Sequence, residues 1–195
     1  MTEDGIERTF AVNHLAPFLL TNLLLDLLKR SAPAKVINVA SIEHRQGTLP
    51  FDNLQFEKGG YGIVRAYARS KLANVLFTTE LARRLAGTGV TANCLHPGAV
   101  ATNIWSHAPG YVRLVFPVAK LFMLSAEQGA DPIVYLAANA EVEGLTGGYY
   151  ERNRKVSPAP LARDNAIATR LWDRSAALSA FHPTRTTPSK RDPCA

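Results

Sequence analysis

Tyr67 and Lys71 stand four residues apart in the stretch Arg65-Ala66-Tyr67-Ala68-Arg69-Ser70-Lys71-Leu72-Ala73-Asn74. On a helix that spacing places both side chains on one face, within reach of each other. A phenol alone titrates near pH 10, about three units too high for a base at neutral pH. An ammonium held beside it favours the phenolate. The pair is a candidate acid–base couple. The same spacing on a plain surface helix does no chemistry, so other residues must decide.

Two other positions carry reactive or binding potential. Ser41 follows the short β-branched run Lys35–Ala40. That run reads as a buried strand of a parallel sheet, and ligands of open α/β sheets gather at the carboxyl ends of strands. A serine there can donate a hydrogen bond to a substrate, or it can cap a turn. Asn13 lies four residues before Pro17. Pro17 has no N–H to offer and its ring crowds the carbonyl of residue 13, which predicts a break or kink at Asn13.

The elements that must position these residues follow from periodicity. Thr2-Glu3-Asp4 has the pattern of a helix start, and a helical stretch runs on to about Arg30 with Phe10, Leu15, Leu19, Leu23 and Leu27 on one face. Residues 42–63 are loop by composition, rich in glycine. A second helix covers about Val64 to Leu85, with Gly87 as its stop. Thr91–Leu95, with Val90 before it, is a second buried strand, and it runs into the sharp turn His96-Pro97-Gly98. Residues 103–124, with Trp105, Tyr111, Phe116 and Phe122, suit a lid over an apolar substrate or a packed loop. Ser125 and Gln128 have capping-box spacing for a helix to about Ala140. Gly147-Gly148-Tyr149-Tyr150-Glu151 turns into a third strand, and Ala162–Ala180 is a last amphipathic helix. Phe181 onward, rich in proline, threonine and basic residues, reads as a disordered tail. Alternating helices and strands indicate an α/β fold with a parallel sheet and right-handed crossovers.

Composition narrows the function classes. The chain has 195 residues, 47% hydrophobic and 19% charged, which suits one globular domain. Cys94 and Cys194 do not make a disulfide framework, and a reducing, cytoplasmic setting is expected. The N-terminal residues lack the pattern of a secretory signal, and no run of 18 apolar residues occurs, so membrane association is not indicated. The net charge of +6 is spread without an aromatic-interleaved basic stripe, which argues against nucleic acid as a partner. A serine hydrolase built on Ser41 and His96 lacks the Gly-x-Ser-x-Gly elbow.

Taken in order, Val12-Asn13-His14-Leu15, Asn38-Val39-Ala40-Ser41, Tyr67-x-x-x-Lys71 and Pro97-Gly98-x-Val100-x-Thr102 resemble the short-chain dehydrogenase/reductase family, over about residues 1–175. The loop between Ser41 and Tyr67, Leu72-Ala73-Asn74 and the His96-Pro97-Gly98 turn are most similar to its retinol-dehydrogenase-like branch. The resemblance implies the C-terminal part of a Rossmann-type, doubly wound parallel sheet, about three strands with flanking helices, within a partial catalytic domain over residues 1–180. It implies hydride transfer between NAD or NADP and an alcohol or carbonyl substrate. Tyr67 would exchange the proton. Lys71 would lower the Tyr67 pKa and hold the nicotinamide ribose. Ser41 would bond the reacting oxygen, and Asn13 would hold a water leading from Lys71 to solvent. Pro97, Gly98, Val100 and Thr102 would lie at the cofactor, the last two towards the nicotinamide carboxamide. The apolar Trp105–Leu124 stretch suggests a lipophilic substrate.

One departure matters. The family begins with a strand and a Gly-rich turn that cradles the cofactor pyrophosphate. This sequence shows no such turn. Gly59-Gly60-x-Gly62 follows no buried strand and has the wrong spacing. A shortened copy of a full-length enzyme, poorly active alone, is therefore expected. The alternatives are a half that pairs with a complementing N-terminal half or a second copy, and a non-catalytic remnant that acts as a binding or interaction module. The Lys35–Ala40 strand is expected to lack a neighbour on one side.

Overall fold

The computed structural model describes residues 1–99 and 124–180. Four strands form one sheet in the order β1 (Ala34–Val39), β2 (Val90–His96), β3 (Tyr149–Glu151), β4 (Arg154–Val156). The first two pairings are parallel, with Ala34 opposite Val90 and Cys94 opposite Tyr149. The last is an antiparallel hairpin. Composition gives no sign of β4, because Arg154-Lys155-Val156 alternates nothing apolar. Arg152 and Asn153 both adopt positive φ (49° and 61°), the backbone of a two-residue hairpin turn, and this returns the chain along β3.

Helices cover both faces. Helix α1 is a continuous stretch over Arg8–Arg30, and α2 spans Ile63–Arg84. Helix α3 spans Ala126–Ala138 and α4 spans Asn165–Leu178. The alternation along β2 sorts the core. Val90, Ala92 and Cys94 pack with residues of α1, α2 and α4, among them Phe18, Phe77, Leu76 and Trp172. Leu95 turns to the other face, against Leu136 of α3 and Tyr150. Each fully buried Leu or Phe there contributes about 1.5–3 kcal/mol of transfer free energy. The three-layer α/β arrangement and the mostly parallel sheet are those expected. β1 is an edge strand, also as expected.

Helix α1 departs from its expected shape in two ways. It begins at Arg8, not at Thr2. Gly5 at φ 72° turns the chain out of helical conformation, and Thr2 closes only a short turn on the Ile6 N–H. The cap is Glu7, whose buried carboxylate accepts from the N–H groups of Thr9 (2.9 Å) and Phe10 (2.7 Å). The inward row also differs. Phe10 and Leu15 are buried as expected, but Leu23 and Leu27 are 67% and 52% exposed. Phe18 and Asn22 point inward instead. A row stepping four residues at a time drifts by about 40° per step on a helix of 3.6 residues per turn, so its far end swings off the buried face. By length and composition α1 is apolar enough to cross a membrane, although it holds no unbroken run of 18 apolar residues and Phe10, Leu15 and Phe18 are packed in the body of the protein.

The stretch read as loop opens with a 3-10 turn, Ile42–Gln46, that packs along α2. Gly47 ends it because nothing larger fits. A Cβ there would come within 2.6 Å of the Ala68 carbonyl oxygen and 2.7 Å of the Leu72 Cβ. Capping at Ser125 and Gln128 is the reciprocal box the spacing predicts. Residues 181–195, expected to be disordered, lie outside the described residues.

Candidate active site

Tyr67 and Lys71 sit one turn apart near the start of α2, as the spacing requires. The Lys71 Nζ lies 5.5 Å from the centre of the Tyr67 ring and donates to the Val39 carbonyl at 3.0 Å. That carbonyl ends β1, so the ammonium is pinned at the carboxyl end of the sheet. Burial pulls the Lys71 pKa below the ordinary lysine value, since a partly enclosed site disfavours the charged form.

Ser41 stands two residues past Val39, on extended backbone, and is 6% exposed. Its Oγ accepts from the Glu43 N–H at 3.3 Å, so the turn-capping role is real. A hydroxyl that accepts still has its own proton to donate. His44 secures the turn: Nδ1 donates to the Ser41 carbonyl at 2.7 Å and Nε2 accepts from the Ala159 N–H at 3.0 Å. Both ring nitrogens are occupied, which leaves His44 unable to serve Ser41 as a base.

Asn13 lies in a π-turn, Ala11–Leu15, directly before Pro17. Wide turns of this kind absorb a local conflict in a helix, here the missing donor and crowding ring of the proline. The Asn13 side chain donates to Ser70 Oγ at 3.1 Å, and Ser70 donates to the Tyr67 carbonyl at 2.8 Å. Asn13 therefore reaches the Tyr67 turn through Ser70. At the end of β2, Gly98 has φ 91°, and a Cβ there would run into Leu124. Pro97 and Gly98 so form the sharp turn expected at the strand end. Val100 and Thr102, along with Trp105, Tyr111, Phe116 and Phe122, lie outside the described residues.

Several contributors escape sequence reasoning. His14 and Asn74 are 60 positions apart, yet His14 Nδ1 and Asn74 Oδ1 meet at 3.3 Å, and Asn74 Nδ2 donates to Val39 at 3.4 Å. No local pattern announces such a contact. His14 is fully enclosed, caged by Phe10, Phe18 and Phe77. Burial brings its pKa down from 6.5 to about 4, against the upward pull of the Asn74 hydrogen bond. The unfolded imidazole takes its proton near pH 6.5, the folded one only near pH 4. Stability from this residue is thus whole above about pH 6.5 and drains away as the pH falls towards 4. Urea unfolding should show wild type losing roughly 2 kcal/mol more than His14→Phe between pH 7 and pH 4.5. Equal losses in the two proteins would contradict this.

Among the described residues no group of three or more His, Cys, Asp or Glu could hold a metal ion. What the geometry does hold is the Tyr67 phenol and the Lys71 ammonium at the carboxyl end of β1, with Ser41 two residues past Val39 and Asn13 bonded to Ser70 on the turn that follows Tyr67. Residues 1–109 match the short chain dehydrogenase family, and the chain belongs to it. It is 46% identical over 183 residues to retinol dehydrogenase 13 of Homo sapiens, covering 91% of this chain and 55% of that protein. It is 48% identical over 177 residues to retinol dehydrogenase 14 of Homo sapiens, covering 89% and 52%. The chain thus spans about half the length of the curated relatives it matches. A crystal structure of an uncharacterised protein from Mycobacterium paratuberculosis superposes with a TM-score of 0.72 at 31% identity, covering 92% of this chain and 61% of that one.

Proposed function

We propose that this chain carries the acid–base part of a hydride-transfer site that interconverts a lipophilic alcohol, of the retinol class, and its carbonyl, with NAD or NADP. The observation that carries the reading is the Lys71 ammonium, 5.5 Å from the Tyr67 ring and anchored at the carboxyl end of β1. The residues fit the nicotinamide–ribose end of such a cofactor. Lys71 has three N–H groups, and the Val39 carbonyl accepts one. Pro97 and Gly98 form the sharp turn at the carboxyl end of β2, the side of an open α/β sheet where ligands bind. When bound, the cofactor supplies the hydride acceptor or donor.

The steps assigned to the protein are proton steps. In alcohol oxidation Tyr67, as the phenolate, would take the hydroxyl proton as the hydride leaves the carbinol carbon; in reduction the Tyr67 phenol would give its proton to the carbonyl oxygen and be left as the phenolate. Lys71 would supply positive charge beside the phenol and, with the N–H groups that Val39 does not use, hydrogen bonds to the ribose. Ser41 donates to the reacting oxygen. Asn13, through Ser70, steadies the turn that bears Tyr67. Among the described residues no Gly-rich turn stands between a buried strand and a helix, so the pyrophosphate lacks an anchor here. Titration of the 195-residue protein with NADH or NADPH, followed by nicotinamide fluorescence, is expected to give binding weaker than micromolar. Micromolar affinity would refute the idea that this chain turns over poorly by itself.

A second reading is a binding module. Val12, Leu20, Leu23 and Leu27 on the outer face of α1 are each more than half exposed, and among the described residues no strand lies beside the outer edge of β1. Both are surfaces that a complementing segment or a second copy can cover.

A further inference from the structure

Four buried or edge-facing polar groups, one from each of four elements, line up behind Lys71. The Ala40 N–H bonds to Leu95 of β2, and neighbouring residues of a parallel strand point their backbone groups to opposite edges. The Val39 carbonyl therefore faces the open edge of β1. There it accepts from Lys71 Nζ at 3.0 Å and from Asn74 Nδ2 at 3.4 Å. With its amide nitrogen used as donor, Asn74 presents Oδ1 to His14, so His14 Nδ1 must carry the proton of the neutral ring. Nε2 is then an acceptor, and the Ser175 hydroxyl of α4 donates to it at 2.8 Å. Every donor in the chain points the same way, from Ser175 through His14 and Asn74 to Val39.

We propose that Asn74 and His14 are positioning residues for Lys71: together they fix the Val39 carbonyl that holds the ammonium beside Tyr67, and through Ser175 they tie that placement to α4. The catalytic meaning of the placement rests on the hydride-transfer reading; the placement itself does not. His14, Asn74 and Ser175 are 0%, 4% and 1% exposed. Apolar side chains would fill this volume without the desolvation cost of three polar groups. The polar chain ends instead on the one carbonyl that Lys71 uses. The tightest contact, Ser175 to His14, is furthest from Lys71, as suits a support braced against the core.

The test reads Lys71 itself. With 13C-labelled lysine in the 195-residue protein, the Lys71 signal, assigned by its loss in Lys71→Arg, is titrated by NMR. In Asn74→Leu the carbonyl loses its second donor and the ammonium swings into solvent. The Lys71 midpoint should then rise by about half a unit to one unit towards the ordinary lysine value. Ser175→Ala removes one hydroxyl and should move Lys71 the same way by a smaller amount, so the question is decided even if Asn74→Leu does not fold. A purely structural role would lower the melting temperature and leave the Lys71 midpoint where it was. An unchanged midpoint in a folded variant overturns the proposal and leaves the hydride-transfer reading intact. Undiminished turnover in Tyr67→Phe would remove that reading and leave the Lys71 shift standing.

Discussion

Tyr67→Phe is expected to cut turnover of a lipophilic alcohol or aldehyde by about a hundred- to ten-thousand-fold, the range that a positioned acid–base group supplies. The substitution removes one oxygen from a half-buried ring. The Lys71 bond to Val39 does not pass through that oxygen, so the ammonium stays anchored. The loss should fall on the maximal rate with little change in cofactor affinity, because the phenol acts on the proton in flight. Nicotinamide absorbance at saturating cofactor and substrate measures the first, and fluorescence titration the second. Parallel losses of affinity and rate would mean that Tyr67 mainly binds. No change in rate would favour the binding-module reading.

Glu80→Ala is expected to destabilise the fold by about 2–3 kcal/mol, somewhat below the usual cost of breaking a buried ion pair because one flank of the network is wet. Glu80 is 1% exposed on α2. Its carboxylate takes two hydrogen bonds from Arg83 (2.7 and 2.9 Å) and one from Arg84 (2.6 Å). Arg84 in turn stacks over Trp172 of α4 at 4.2 Å. Removing the carboxylate releases two guanidinium groups at the seam between α2 and α4. Burial pushes the Glu80 pKa up, but the hydrogen bonds and charges of the two arginines outweigh it and hold the value below the ordinary glutamate range. The folded value being the lower one, this stabilisation is present above the unfolded pKa and is lost as the pH falls through the folded one. Chemical denaturation at pH 7 and near pH 3 should show the gap between wild type and Glu80→Ala closing in acid. A constant gap would mean that packing, not charge, is what the substitution removes.

These expectations draw on features of very different visibility. The Tyr67–Lys71 pair was legible because a helix converts a spacing of four into adjacency, and the buried strands because short β-branched runs bounded by turn residues have few alternatives. Ser125 with Gln128 was legible for the same local reason. The start of α1 is not legible from the cap pattern, because Thr2 satisfies that pattern locally while Gly5 and the carboxylate of Glu7 decide the matter three to five residues later. The hairpin to β4 was invisible because its stability comes from pairing with β3 and not from its own side chains.

By itself, the amino-acid sequence determined the α/β class, the helix that joins the phenol to the ammonium, and the strand end where Ser41 stands. All of these rest on interactions within a few residues of chain. Tertiary structure decided what Lys71 rests on. The Val39 carbonyl, Asn74, His14 and Ser175 come from four elements, and they meet only once the helices pack on the sheet. Contacts between residues far apart in the chain leave no periodic trace, and a buried polar chain is selected by the need to satisfy each donor and acceptor in three dimensions.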